Sequence, residues 1–181
     1  GYCCFNDVVI ALRQARRTGR LRRVAILDTD AHHGDGTRDL VAADPDVLHV
    51  CVCDSDSESA DGTKLDVGAP DPGSLDVSPD QAYLALVRQT FPARADRFRP
   101  DLIVWYFGFD THQGDYGDLG LTLAAYLGIA DVMLETAGRV CGEKLLVVLG
   151  GGSRTDLATR LVPPIIAKLA RLADRPLTGI G

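Results

Sequence analysis

Histidine is scarce in this 181-residue sequence: there are four, and two of them, His32 and His33, are adjacent. Positive charge is in deficit as well. Nineteen Lys and Arg against 25 Asp and Glu leave a net charge of -6, which argues against a nucleic-acid backbone as main partner, since that needs a basic footprint. The one basic cluster, ARRTGRLRR at 15–23, reads as a solvated helix end. No apolar run reaches the ~18 residues of a membrane span, and no signal-peptide pattern is present. The five cysteines are odd in number and lack paired metal-type spacing, so they read as reduced thiols of a cytoplasmic protein. There is no initiating methionine either. The chain opens at Gly1 inside a segment that reads as structured, and the expectation is a fragment lacking its N-terminal part.

What is present is an ordinary globular composition, 46% hydrophobic and 24% charged, expected to form a single, partial domain over 1–181. Apolar spacing predicts a helix over 5–17, ended by Gly19, and a short helix over 36–43. Strands are expected at 23–28, 47–53, 102–107 and 145–150. Ser78-Pro79-Asp80-Gln81 starts a helix running toward Pro92, with Ser78 as N-cap. A further helix spans 121–140. The last, roughly 155–173, accommodates Pro163-Pro164 only with a kink or break. Residues 54–78, rich in Ser, Asp, Gly and Pro, read as one long excursion.

Continuous apolar strands alternating with helices imply an α/β fold, a three-layer αβα arrangement around a mainly parallel sheet. Ligands of such sheets bind at the carboxyl ends of the strands. Asp28-Asp30-His32, Cys51-Val52-Cys53, Gly108-Phe109-Asp110 and Gly150-Gly151-Gly152-Ser153 all fall at that edge. Asp28, Asp30 and His32 share parity, so an extended backbone sends all three to one side. Two carboxylates and an imidazole there repel unless a cation joins them, and Asp110 is placed to join from the neighbouring strand. An Asp-His-Asp set with a vacant position is the pattern of a catalytic divalent metal. The bland alternative has Asp28 and Asp30 capping the turn and both histidines packing.

GYCCFND, LDTDAHHGDGT, GFDTHQGD with GLT shortly after, and LGGG, in this order and spacing, resemble the zinc-dependent deacetylase family. That family comprises histone deacetylases, acetylpolyamine amidohydrolases and acetoin-utilisation proteins on an arginase-like α/β fold. The resemblance implies zinc ligation by Asp30, His32 and Asp110, with ferrous iron as an alternative metal. It implies a structural potassium or sodium ion at Asp28 with carbonyls near Cys51 and Val52. Asp28 and Asp35 would orient a tandem histidine pair acting as general base. Gly1 and Tyr2 would wall the substrate tunnel, with Gly151 and Gly152 lining the site. The implied reaction is hydrolysis of an acylated lysine or polyamine by metal-activated water.

Three departures qualify it. The tandem histidines lie upstream of the GYC motif in the family. Of the remaining histidines, His33 has the wrong parity and His49 is mid-strand, which leaves His112, two residues past Asp110, as the one candidate to face the metal. The glycine-rich strand end finishes in the family with a tyrosine that hydrogen-bonds the carbonyl oxygen. Ser153-Arg154 stands here, a short hydroxyl beside an arginine that can pair with Asp156. The excursion is acidic and lacks the family's tunnel phenylalanine, which suits a cationic substrate or a merely solvated loop. The alternative to an amidohydrolase is a zinc-containing acyl-lysine or polyamine binder. GGGSRTD as a phosphate cradle lacks P-loop spacing and its lysine.

Overall fold

The described residues of this computed structural model, 4–74 and 76–170, form one six-stranded sheet between two helical layers. The strands are β1 (Val24–Asp28), β2 (Val47–Cys53), β3 (Ser57–Glu58), β4 (Lys64–Gly68), β5 (Leu102–Phe107) and β6 (Leu145–Leu149). The helices are α1 (Asp7–Arg17), α2 (Asp35–Val41), α3 (Pro79–Phe98), α4 (Leu123–Cys141) and α5 (Thr155–Leu169). The order across the sheet is β3-β4-β2-β1-β5-β6, with every pairing parallel except β3 with β4.

Strand parity divides the core. Ala25, Leu27, Leu48, Val50, Ile103, Trp105 and Phe107 pack with Tyr83 and Phe91 of α3, Ile129 and Met133 of α4, and Leu157 and Leu161 of α5. Val24, Ile26, Val47 and Val104 pack instead with Val8, Val9 and Leu12 of α1 and Val41 of α2. Every residue of β1 and β2 is buried, which is why both strands read as unbroken apolar runs. The second layer is thinner. Leu146 of β6 is half exposed, and a groove of about 320 Å³ opens between α1 and the β5–β6 face.

The N-cap of α3 is the expected one: the Ser78 hydroxyl accepts from Gln81 N–H while the Gln81 side chain takes the Ser78 N–H. The cluster at 15–23 serves the fold as well, with Arg16 paired to Asp44 and Arg22 to Asp46 at 2.9 Å. Two expectations are corrected. The excursion is not structureless, since it contributes β3 and β4 and so turns four expected strands into six. Helix α3 continues through Pro92, because burial of Phe91, Ala95 and Phe98 holds its second half. Helix α5 contains Pro163 and Pro164 without a break and is anchored by buried Leu157, Leu161 and Ile165.

Candidate metal centre

The chain leaves β1 by a bend that its own carboxylates make. Asp28 Oδ1 accepts from Asp30 N–H at 3.1 Å, and Asp30 Oδ1 accepts from His32 N–H at 3.0 Å. Aspartates that bond the backbone two residues on are turn formers. The extended path behind the parity argument therefore ends at Asp28, and the bend carries Asp30 and His32 toward the end of β5. Thr29 locks the bend, accepting from Trp105 Nε1 at 2.9 Å.

Asp30, His32 and Asp110 converge there. His32 Nδ1 stands 3.2 Å from Asp30 Oδ1 and 3.1 Å from Asp110 Oδ2, and one ligand atom from each residue lies within 4.8 Å of the others. Asp110 is fully buried, and burial followed by the negative charge of Asp30 pushes its carboxyl up to about 6. Ala31 N–H donates to Asp110 Oδ1 at 3.2 Å and Gly151 N–H to Asp30 Oδ2 at 2.8 Å. A side chain at Gly151 would run into Asp30 Oδ2 and come within 2.7 Å of Asp110 Oδ2. Glycine is needed so that the backbone can approach the two carboxylates. Two carboxylates with no cationic side chain of the described residues between them, plus an imidazole nitrogen, form a donor set that fits a divalent metal such as zinc.

A second cluster lies on the other side of the same bend. His33 Nε2 is 3.3 Å from Asp66 Oδ2, and Cys53 Sγ completes a group of metal-capable atoms. The Cys53 thiol lies below its ordinary value, chiefly through hydrogen bonding with Cys51. Here a cation is already present, because Arg38 pairs with Asp66 Oδ1 and Ser57 Oγ donates to Oδ2 at 2.6 Å. Burial works to raise Asp66, but the Ser57 hydroxyl and the Arg38 guanidinium hold its carboxyl below the usual range.

The remaining expected residues are dispersed. Asp28 is buried on the α1–α2 face, where burial raises its carboxyl against the pull of His49, whose Nε2 is 3.8 Å from Asp28 Oδ2. Cys51 pairs with Asp28 across β1 and β2, and its Sγ accepts from Gly34 N–H at 3.4 Å. Val52 points into the α3–α5 core. Asp35 is exposed at the start of α2 and takes the Gly36 N–H at 2.7 Å. Ser153 Oγ donates to Asp115 Oδ1 at 2.9 Å, and Arg154 pairs with Asp156 at 2.7 Å. His112 Nδ1 bonds the Gln113 carbonyl at 2.7 Å, outside the cluster. Gly1 and Tyr2 lie outside the described residues.

His49 is the fully buried core residue expected, but sequence reasoning missed its contact with Asp28. It also missed Asp115, which binds the backbone N–H groups of Tyr116, Ser153 and Arg154. Burial works to raise the Asp115 carboxyl, but these bonds hold it below its usual range. The first of the two Gly-Asp pairs in HQGDYGD is a local hint of such an anchor. In the excursion, Asp56 accepts from Gly68 N–H at 2.8 Å and Glu58 pairs with Arg94 at 2.9 Å. Asp61 is held at about 2 by Ser59 and Thr63. Asp61 thus closes its own turn, while Asp56 and Glu58 tie the excursion to β4 and α3.

The family model for the histone deacetylase domain matches residues 1–169. The chain belongs to the histone deacetylase family. It is 34% identical over 163 residues to histone deacetylase 14, chloroplastic, of Arabidopsis thaliana, a match covering 84% of this chain and 38% of the relative. A probable deacetylase of Methanothermobacter thermautotrophicus is 32% identical over 124 residues, covering 64% and 38%. Among solved structures, the HDA15 HD domain superposes with a TM-score of 0.77 at 26% identity, over 98% of this chain and 52% of that one. The histone deacetylase Clr3 gives 0.73 at 26% identity, over 91% and 30%. The histone deacetylase fold is therefore the three-layer α/β arrangement expected. The chain spans well under half the length of the two curated relatives named. No helix among the described residues is long and apolar enough to cross a membrane.

Proposed function

We propose that this chain carries the metal centre of a zinc-dependent amidohydrolase that removes acyl groups from lysine side chains or polyamines. The observation that carries the reading is the convergence of Asp30, His32 and Asp110 around unneutralised carboxylate charge. These three residues would hold the ion, and a bound zinc would supply Lewis acidity toward the acyl carbonyl and a water acidic enough to attack it. Ferrous iron suits the same oxygen and nitrogen donors. The protein's part is positioning. Gly151 N–H fixes Asp30, Ala31 N–H fixes Asp110, and the fully buried Asp110 keeps one side of the site dry.

A structural potassium or sodium ion at Asp28, with the carbonyls of Cys51 and Val52, belongs to the same proposal, as does orientation of a general-base histidine pair by Asp28 and Asp35. Cys4, Cys51, Cys53 and Cys141 are free thiols, which suits a reducing compartment such as the cytoplasm. A second reading, a zinc-containing acyl-amine binder without turnover, is favoured by the engagement of Ser153 with Asp115 and of Arg154 with Asp156. Hydrolysis of acetyl-lysine peptides and acetylpolyamines by the intact protein, with and without chelator, decides between them. Chelator-sensitive turnover supports the hydrolase; one equivalent of zinc without turnover supports the binder.

A further inference from the structure

We propose that Tyr116 supplies the hydroxyl that donates a hydrogen bond to the substrate's carbonyl oxygen at this centre. The proposal rests on the amidohydrolase reading and names a residue for a task that neither Ser153 nor Arg154 is placed to perform. The Tyr116 ring stacks on His32, with centroids 5.3 Å apart and planes 28° from parallel. Its oxygen accepts from Gly152 N–H at 3.4 Å, next to the Gly151 N–H that holds Asp30. The phenol therefore lies between one metal-site residue and the backbone that braces another.

The polarity of that contact matters. The phenol oxygen accepts a hydrogen bond from the backbone, and among the described residues its own O–H finds no acceptor. That proton is free for a group arriving beside His32, and the side chain is reachable, at 55% exposed. Tyr126 offers no such group, since it is fully buried with its hydroxyl bonded to Thr111 Oγ1 at 2.9 Å. Tyr116 is also held in place from both sides. Asp115 takes the Tyr116 N–H at 2.8 Å and the Ser153 hydroxyl at 2.9 Å through one oxygen, and the Arg154 N–H at 3.2 Å through the other. One buried carboxylate thus pins the loop carrying Tyr116 to the glycine-rich strand end, and it consumes Ser153 in doing so.

In the reaction, a water oxygen forms a bond to the acyl carbon and the carbonyl electron pair moves onto oxygen. Tyr116 would stabilise that charge by hydrogen bonding without giving up its proton. As the pair returns, the C–N bond breaks and the amine leaves with a proton that originated in the water. Loss of a single donor of this kind typically lowers turnover ~10²–10³-fold.

The test is Tyr116→Phe in the intact, zinc-loaded protein, with an acetyl-lysine peptide as substrate. The expected result is a kcat lower by ~10²–10³ with KM changed only a few-fold, zinc content and Tm unaltered. Calorimetric binding of a trifluoromethyl-ketone analogue of the peptide, which binds as its hydrate, gives a readout that needs no turnover and should weaken comparably. An active wild type matched by an equally active variant overturns the proposal. So does loss of zinc or early melting in Tyr116→Phe, which would make the ring a structural part of the site. A wild type that neither turns over nor binds the ketone overturns the amidohydrolase reading itself.

Discussion

His32 and His33 leave the same bend in opposite directions, and each reaches an aspartate at the carboxyl edge of the sheet. His32 joins Asp30 and Asp110, where no cationic side chain among the described residues intervenes and Asp110 is pushed up to about 6. His33 joins Asp66 and Cys53, where Arg38 neutralises the carboxylate and Asp66 is held low. Both groups bring metal-capable atoms within 4.8 Å of one another. The difference lies in charge balance. A buried carboxylate without a partner is costly, and a divalent ion relieves it, whereas one already paired with arginine gains little from a second cation.

The comparison is most directly broken by removing one aspartate from each side. Asp110→Ala should abolish stoichiometric zinc binding, and with it turnover, as read by metal mass spectrometry. Asp66→Ala should keep its zinc but destabilise the fold by about 3–5 kcal/mol, because it leaves the largely buried Arg38 unpaired. Equal zinc loss in both variants would erase the distinction.

Proton competition should separate the two clusters next. Asp110 has a folded value above its unfolded one of about 4, so in the metal-free protein its stabilising contribution is complete below about 4 and lost as pH rises through about 6. The same protonation competes with metal, so apparent zinc affinity should fall about tenfold per pH unit below 6. Asp66 runs the other way: its contribution is present above about 4 and lost as pH falls through its depressed folded value. Chemical unfolding of metal-free protein at several pH values checks both signs in Asp110→Asn and Asp66→Asn backgrounds. The smallest expected effect is Ser153→Ala, about 1 kcal/mol for one hydroxyl bond to Asp115, with zinc retained.

Much of this was legible from residue order. Unbroken apolar strands implied a parallel sheet, and the placement of DTDAHH and GFD at strand ends pointed to Asp30, His32 and Asp110 together. Asp28 shares the parity of Asp30 and His32 but not their place, because the chain is not extended there: Asp28 and Asp30 each bond the backbone two residues ahead and bend it. Strand β4 was hidden because KLDVG carries two charged residues that become buried. Lys64 does so by donating to the carbonyls of Asp44 and Val47 at 3.0 and 2.8 Å, and Asp66 by pairing with Arg38, 28 positions away. Partners that distant leave no local periodicity. The contact between His49 and Asp28 escaped notice for the same reason, since strand pairing alone brings them together.

X-ray absorption at the zinc edge of the intact protein tests the central claim most directly. Binding at Asp30, His32 and Asp110 predicts only nitrogen and oxygen scatterers near 2.0–2.2 Å. A sulfur scatterer near 2.3 Å would place the ion with Cys53 and His33 instead, and would contradict the account.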